Sequence, residues 1–102
     1  MTLSAMKLSD MNSNQKMAFE IAAEAVDYYI GGWENTILDY DPDSEDYKEA
    51  KEALSLSHKE LVENILSDCR MDIRWQRIEN LHLVGLDFLR ERISRRLTKY
   101  GY

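Results

Sequence analysis

Met17–Tyr47 reads MAFEIAAEAVDYYIGGWENTILDYDPDSEDY, and its periodicity decides the fold. Phe19, Ala22, Val26, Ile30, Trp33, Ile37 and Tyr40 recur at steps of three or four, which places them along one face of an α-helix. The same 31 residues hold no Lys or Arg but nine carboxylates: Glu20, Glu24, Asp27, Glu34, Asp39, Asp41, Asp43, Glu45 and Asp46. One side of this helix is expected to be buried, and the other to carry a concentrated negative field.

Working outward, Asn12 or Ser13 is a suitable N-cap for this first helix, and residues 1–12 read as a loose leader. Gly31-Gly32 interrupts the helix at a cost of roughly 1 kcal/mol per glycine. The apolar phase nevertheless runs on from Val26 through Ile30 to Trp33 and Ile37. One continuous helix is therefore preferred over two, with the glycines admitting the close approach of a backbone or ring. Trp33 is expected in the core, whereas at least one of Tyr28 and Tyr29 must lie at the rim or in solvent.

The one clear breaker is Asp39-Tyr40-Asp41-Pro42-Asp43-Ser44. Pro42 pushes Asp41 out of helical geometry and suits the first turn of the next helix, which Asp41 or Ser44 can cap. A second helix then follows from about Ser44 to Cys69, with Tyr47, Ala50, Leu54, Leu61, Ile65 and Cys69 inside and a weak spot at Ser57-His58. A third is expected from Asp72 to Lys99 on a stripe of Trp75, Ile78, His82, Leu86, Leu89, Ile93, Leu97 and Tyr100. The fold class is all-α: a single domain over 1–102, built as a small bundle of three long helices, or four if the first or third is split at a glycine (Gly85 in the third). One Pro and four Gly in 102 residues leave little material for the turns of a β-fold.

Charge is unevenly distributed. Residues 1–69 carry 5 basic and 15 acidic side chains, a net of −10, while 70–102 carry 8 basic and 4 acidic, a net of +4. A bulk field of −6 opposes direct nucleic-acid binding, so any anion-holding face is local. Cys69 is the sole cysteine and forms no internal disulfide; a buried thiol in a reducing, cytoplasmic setting is the expectation. The N-terminus lacks the apolar segment of a signal peptide, and no run reaches the roughly 18 apolar residues of a membrane span.

Chemical templates fit poorly. Asp39, Asp41 and Asp43 imitate a calcium loop, but Ser44 stands in the glycine place and Ala50 where a bidentate Glu belongs. Glu79-x-x-His82 occurs once, although a di-iron bundle needs that pair on two helices. Glu24/Asp27, Glu49/Glu52 and Glu60/Glu63 resemble the acidic pairs of Mg²⁺-dependent all-α nucleotide pyrophosphatases, yet such spacing is ordinary on a solvated helix. There is no phosphate-binding glycine loop and no local sign of a catalytic triad. A non-enzyme without cofactor or resident metal is the expectation.

Two charged surfaces remain. Arg92, Arg95, Arg96 and Lys99 form a basic stripe near the C-terminus that complements its helix dipole, meets the acidic loop of this chain or a neighbour, or holds phosphates as in a small DNA-binding regulator. The acidic face of Glu34, Asp39, Tyr40, Asp41, Asp43, Glu45 and Asp46 combines steering charge with aromatic anchors, the ingredients of a protein interface. The stretch Ala25–Leu54, AVDYYIGGWENTILDYDPDSEDYKEAKEAL, resembles small acidic accessory proteins of phages and prophages of Gram-positive bacteria. That resemblance implies a bacterial cytoplasm and a host-protein target; some such proteins, the anti-CRISPR proteins among them, block nucleic-acid-handling enzymes by filling their basic grooves. It assigns no individual residue. The expected partner is a protein with a basic surface, with a structural homo-oligomer (a homodimer) as the alternative.

Overall fold

The computed structural model of the chain describes residues 13–77 and 86–102. Among these residues there are four α-helices: α1 (Ser13–Asp39), α2 (Glu45–Leu54), α3 (His58–Arg70) and α4 (Leu86–Lys99). A short 3-10 turn, Ile73–Arg77, follows α3. No strand occurs among the described residues, so the all-α expectation holds. The expected leader at 1–12 lies outside the described residues, as do Ile78, Glu79, His82 and Gly85.

α1 passes through Gly31-Gly32 unbroken, as the unshifted apolar phase requires. The anticipated close approach is absent, however. A Cβ built on either glycine meets nothing within 4 Å. The buried line of α1 is Ala18, Ile21, Ala22, Val26 and Ile30, and it stops there. Trp33 and Ile37 are only half-buried because α3 and α4 cover the first two thirds of α1 and leave α2 to cover the rest. Trp33 is thus not a core residue; it meets Tyr29 edge to face, with centroids 6.4 Å apart.

The second predicted helix is two helices. Ser57 adopts extended backbone (φ −62°, ψ 157°), and its Oγ accepts the Glu60 N–H at 3.2 Å, which starts α3 afresh. Ser55 closes α2 by donating its N–H to the Glu52 carbonyl. The break therefore falls at Ser55-Leu56-Ser57 rather than at a glycine. It frees α2 to lie on the C-terminal part of α1 while α3 enters the core through Leu61, Val62, Ile65, Leu66 and Cys69. Ser57→Ala is expected to cost about 1 kcal/mol through the lost cap, read as a lower urea midpoint at unchanged slope.

The third predicted helix also begins differently. Asp72 Oδ1 accepts the Arg74 N–H at 2.8 Å and the Asp72 carbonyl accepts the Trp75 N–H at 3.0 Å, which favours a 3-10 turn over an α-helical start. α4 supplies Phe88, Leu89, Ile93 and Leu97 to the core. It runs parallel to α1: Arg92 lies on Phe19, Arg96 on Asp27 and Tyr102 on Glu34. α3 runs antiparallel to α4, with Glu63 on Arg90 and His58 on Ser94. At each fully buried aliphatic position, such as Ile30, Ile65 or Leu97, burial contributes about 1.5–3 kcal/mol.

Candidate functional site

The acidic face is built by the turn between α1 and α2. The Ser44 N–H donates to the Asp41 carbonyl at 2.9 Å, closing a turn over Asp41-Pro42-Asp43-Ser44 with Pro42 in its second position. Pro42 therefore shapes the turn itself and precedes the helix instead of opening it. Asp41 Oδ1 accepts the Asp43 N–H at 2.8 Å, and Ser44 alone caps α2, accepting the Tyr47 N–H at 3.2 Å. This geometry carries Asp39, Tyr40, Asp41, Asp43, Glu45 and Asp46 into solvent on one tip of the molecule. Lys48 is the one cation within salt-bridge distance of these acids among the described residues, 3.9 Å from Glu45, with both side chains largely exposed. Such a contact contributes little. Leu38, 80% exposed, and Tyr40, 49% exposed, stand among the charges as apolar anchors.

Glu34 is not part of this tip. It is half-buried in the last third of α1 and accepts a hydrogen bond from Tyr102 Oη at 3.1 Å. Two further acids of α1, Glu24 and Asp27, are engaged by the chain's own arginines, while Glu20 is exposed. Arg74 binds both Asp72 and Glu24. Arg96 grips Asp27 with Nε and Nη2 at 2.8 and 2.6 Å, and Tyr100 Oη donates to the same carboxylate at 2.6 Å. These contacts hold the Asp27 carboxyl below its ordinary range, the Arg96 hydrogen bond contributing most. Of the six acids in the pyrophosphatase-like pairs, Glu24, Asp27 and Glu63 are tied to Arg74, Arg96 and Arg90.

The basic stripe does not act as a unit. Arg96 is committed to Asp27, and Arg92 places its Cζ 3.7 Å from the Phe19 ring centroid, its buried Nε having no hydrogen-bond partner among the described residues. Burial, then the neighbouring Arg96 and Arg95, lowers the Arg92 pKa. Arg95 pairs with Glu91 at 3.1 Å along its own helix. Lys99 is exposed. The stripe thus meets α1 at mid-length and leaves the acidic loop alone.

Cys69 is buried in the core, and desolvation, reinforced by Asp68 and Asp72, pushes its thiol up to about 12. In the native protein it is expected to resist iodoacetamide at pH 8 and to react once urea unfolds the chain, because the thiolate is the nucleophile. His58, read as a weak spot, is a tie between elements: Nε2 lies 2.6 Å from Ser94 Oγ and Nδ1 lies 3.1 Å from the Tyr102 carbonyl oxygen.

Two open clefts, which the sequence did not reveal, flank Tyr28 where α1 faces the end of α3. One, about 490 Å³, includes Ile21, Ala25, Met71 and Arg74; the other, about 390 Å³, includes Tyr29, Gly32, Trp33 and Thr36. Tyr28 and Asp68 line both. Tyr28 is 86% exposed and Met71 85%. Among the described residues no three His, Cys, Asp or Glu side chains converge as metal ligands, and no helix is long and apolar enough to cross a membrane. No protein-family model, curated protein or solved structure matches this chain.

Proposed function

We propose that this chain is a non-enzymatic protein-binding module whose acidic tip docks on a basic surface that otherwise holds DNA or RNA. The observation that carries this reading is the density of the tip: Asp39, Asp41, Asp43, Glu45 and Asp46 all stay in solvent, while farther back on α1 Glu24 and Asp27 are paired with arginines and Glu34 with Tyr102, leaving Glu20 exposed by itself. A chain with cations available that leaves five carboxylates together on one turn carries a field suited to steering a cationic partner. Leu38 and Tyr40 supply apolar area for such a contact. The mechanism is steric and electrostatic competition with nucleic acid, of the kind that phage-encoded anti-defence or anti-CRISPR inhibitors use in the bacterial cytoplasm.

The test has two steps. The chain is immobilised and exposed to a Gram-positive host extract, and each retained protein is then purified. Its affinity for nucleic acid is measured with and without this chain at 0.05 and 0.3 M salt. Displacement of the nucleic acid that weakens at the higher salt is the expected result. A retained partner that keeps its nucleic acid at saturating chain concentration would overturn competition as the mechanism.

A further inference from the structure

Gly32 has no structural reason to be glycine. It sits inside a 27-residue helix, where glycine is unfavourable, with ordinary helical geometry and open space where its Cβ would be. What that open space adjoins is the cleft lined by Tyr28, Tyr29, Trp33, Thr36 and Asp68. The rings of Tyr29 and Trp33 are 78° apart, so the cleft offers aromatic surfaces in two directions. Asp68, exposed in the last turn of α3, also lines it. Partial desolvation raises the Asp68 pKa, and no cation among the described residues offsets it. Arg74, which shares the neighbouring cleft with Asp68, is already held by Asp72 and Glu24. On the other side of Tyr29 and Trp33, a third depression adds Glu49 and Glu52, and among the described residues no Lys or Arg lines either it or the Gly32 cleft.

We infer that the cleft bounded by Tyr28, Tyr29, Gly32, Trp33 and Asp68 receives an arginine side chain from a basic protein segment. A guanidinium is the one side chain that can use both features at once, stacking on the rings and pairing in a planar fork with the carboxylate. An ammonium group satisfies the charge but makes weaker use of the aromatic faces. The missing side chain at position 32 leaves room for the incoming stem. This inference rests on the reading of the chain as a binder of basic partners, and it adds the means by which one residue of the partner is held.

The experiment uses defined peptides and needs no identified partner. The acetylated, amidated tripeptide Gly-Arg-Gly is titrated into the full chain while the Trp33 indole and Gly32 amide NMR signals are followed. Counterparts with citrulline or lysine in place of arginine serve as controls. Saturable shifts with the arginine peptide, weaker binding of the lysine peptide and none of the citrulline peptide are expected. Asp68→Asn and Gly32→Leu should each weaken binding at least about tenfold; Asp68 is exposed, so its replacement leaves the melting temperature unchanged, whereas replacing the helix-breaking glycine raises it. Gly31→Leu should raise the melting temperature and leave binding unchanged. Equal titration by the citrulline peptide, or full binding by Asp68→Asn, would overturn the cleft as a cation receptor. Equal binding of the lysine peptide would overturn the assignment to arginine. The two readings separate cleanly: a host partner held at full strength by Asp68→Asn removes the arginine cleft and leaves the docking tip. Tripeptide binding without any displacement of nucleic acid does the reverse.

Discussion

Asp27→Asn is expected to lower the unfolding free energy at pH 7 by about 2 kcal/mol, more than any other single change to a carboxylate of α1. Asp27 is where α4 is clasped to α1: two nitrogens of Arg96 and the Tyr100 hydroxyl all donate to it. Losing one partner of a fully buried pair costs about 3–5 kcal/mol, and an exposed pair contributes under about 1. With the Arg96 and Asp27 side chains 29% and 39% exposed, the expected cost falls between those limits. The loss is aggravated by Arg92, which lies beside Arg96 with a buried Nε and, among the described residues, no carboxylate paired to it. The pH dependence has a definite sign. Because the folded state holds the Asp27 carboxyl below 3.8, its contribution is fully present above that value and disappears as pH falls through the lower, folded value. Urea titrations of both proteins should therefore differ at pH 7 and converge in strong acid. Equal midpoints at pH 7 would mean that Arg96 finds enough solvation without its partner.

The second large effect is on binding. Reversing Asp39 and Asp43 to Lys is expected to weaken partner binding roughly 100-fold near 0.1 M salt, about 1.4 kcal/mol for each contact turned from attractive to repulsive. These two positions leave the turn intact. Asp43 contributes only its backbone N–H to the hydrogen bonds that shape the turn, and Asp39 ends α1, where the helix dipole prefers a cation. Asp41 is spared because its carboxylate is the acceptor that shapes the turn. Melting temperature should be unchanged, so a binding loss reports the surface alone. Surface plasmon resonance against the captured partner is the measurement, with the loss mainly in the association rate. Undiminished association would place the docking face elsewhere on the molecule.

Several features of the fold are legible in the residues themselves. The helix from Ser13, its continuity through Gly31-Gly32 and the turn at Pro42 all follow from local rules: period, phase and proline geometry. The start of α3 is also marked in the residues. Ser57-x-x-Glu60 is a capping-box spacing, and it outweighs the apolar phase that links Leu54 to Leu61. The outward side of Tyr28 could be expected because adjacent helical residues point about 100° apart. Which of the two tyrosines would face out depended on where α3 and α2 settled.

The residues alone determined that the chain is helical, that its buried stripes are Leu, Ile, Val and Ala, and that the Pro42 turn carries unbalanced acids. Those properties depend on neighbours within a few positions, and short-range steric and solvation effects set them. Tertiary structure decided which acids are neutralised, because Asp27 meets Arg96 across 69 positions and Glu24 meets Arg74 across 50. It also decided that the basic stripe is divided between α1 and solvent, and that Tyr28, Trp33 and Asp68 share a cleft. Ion pairs and clefts of this kind require elements distant in sequence to be packed at one particular angle and register. No local pattern encodes that packing.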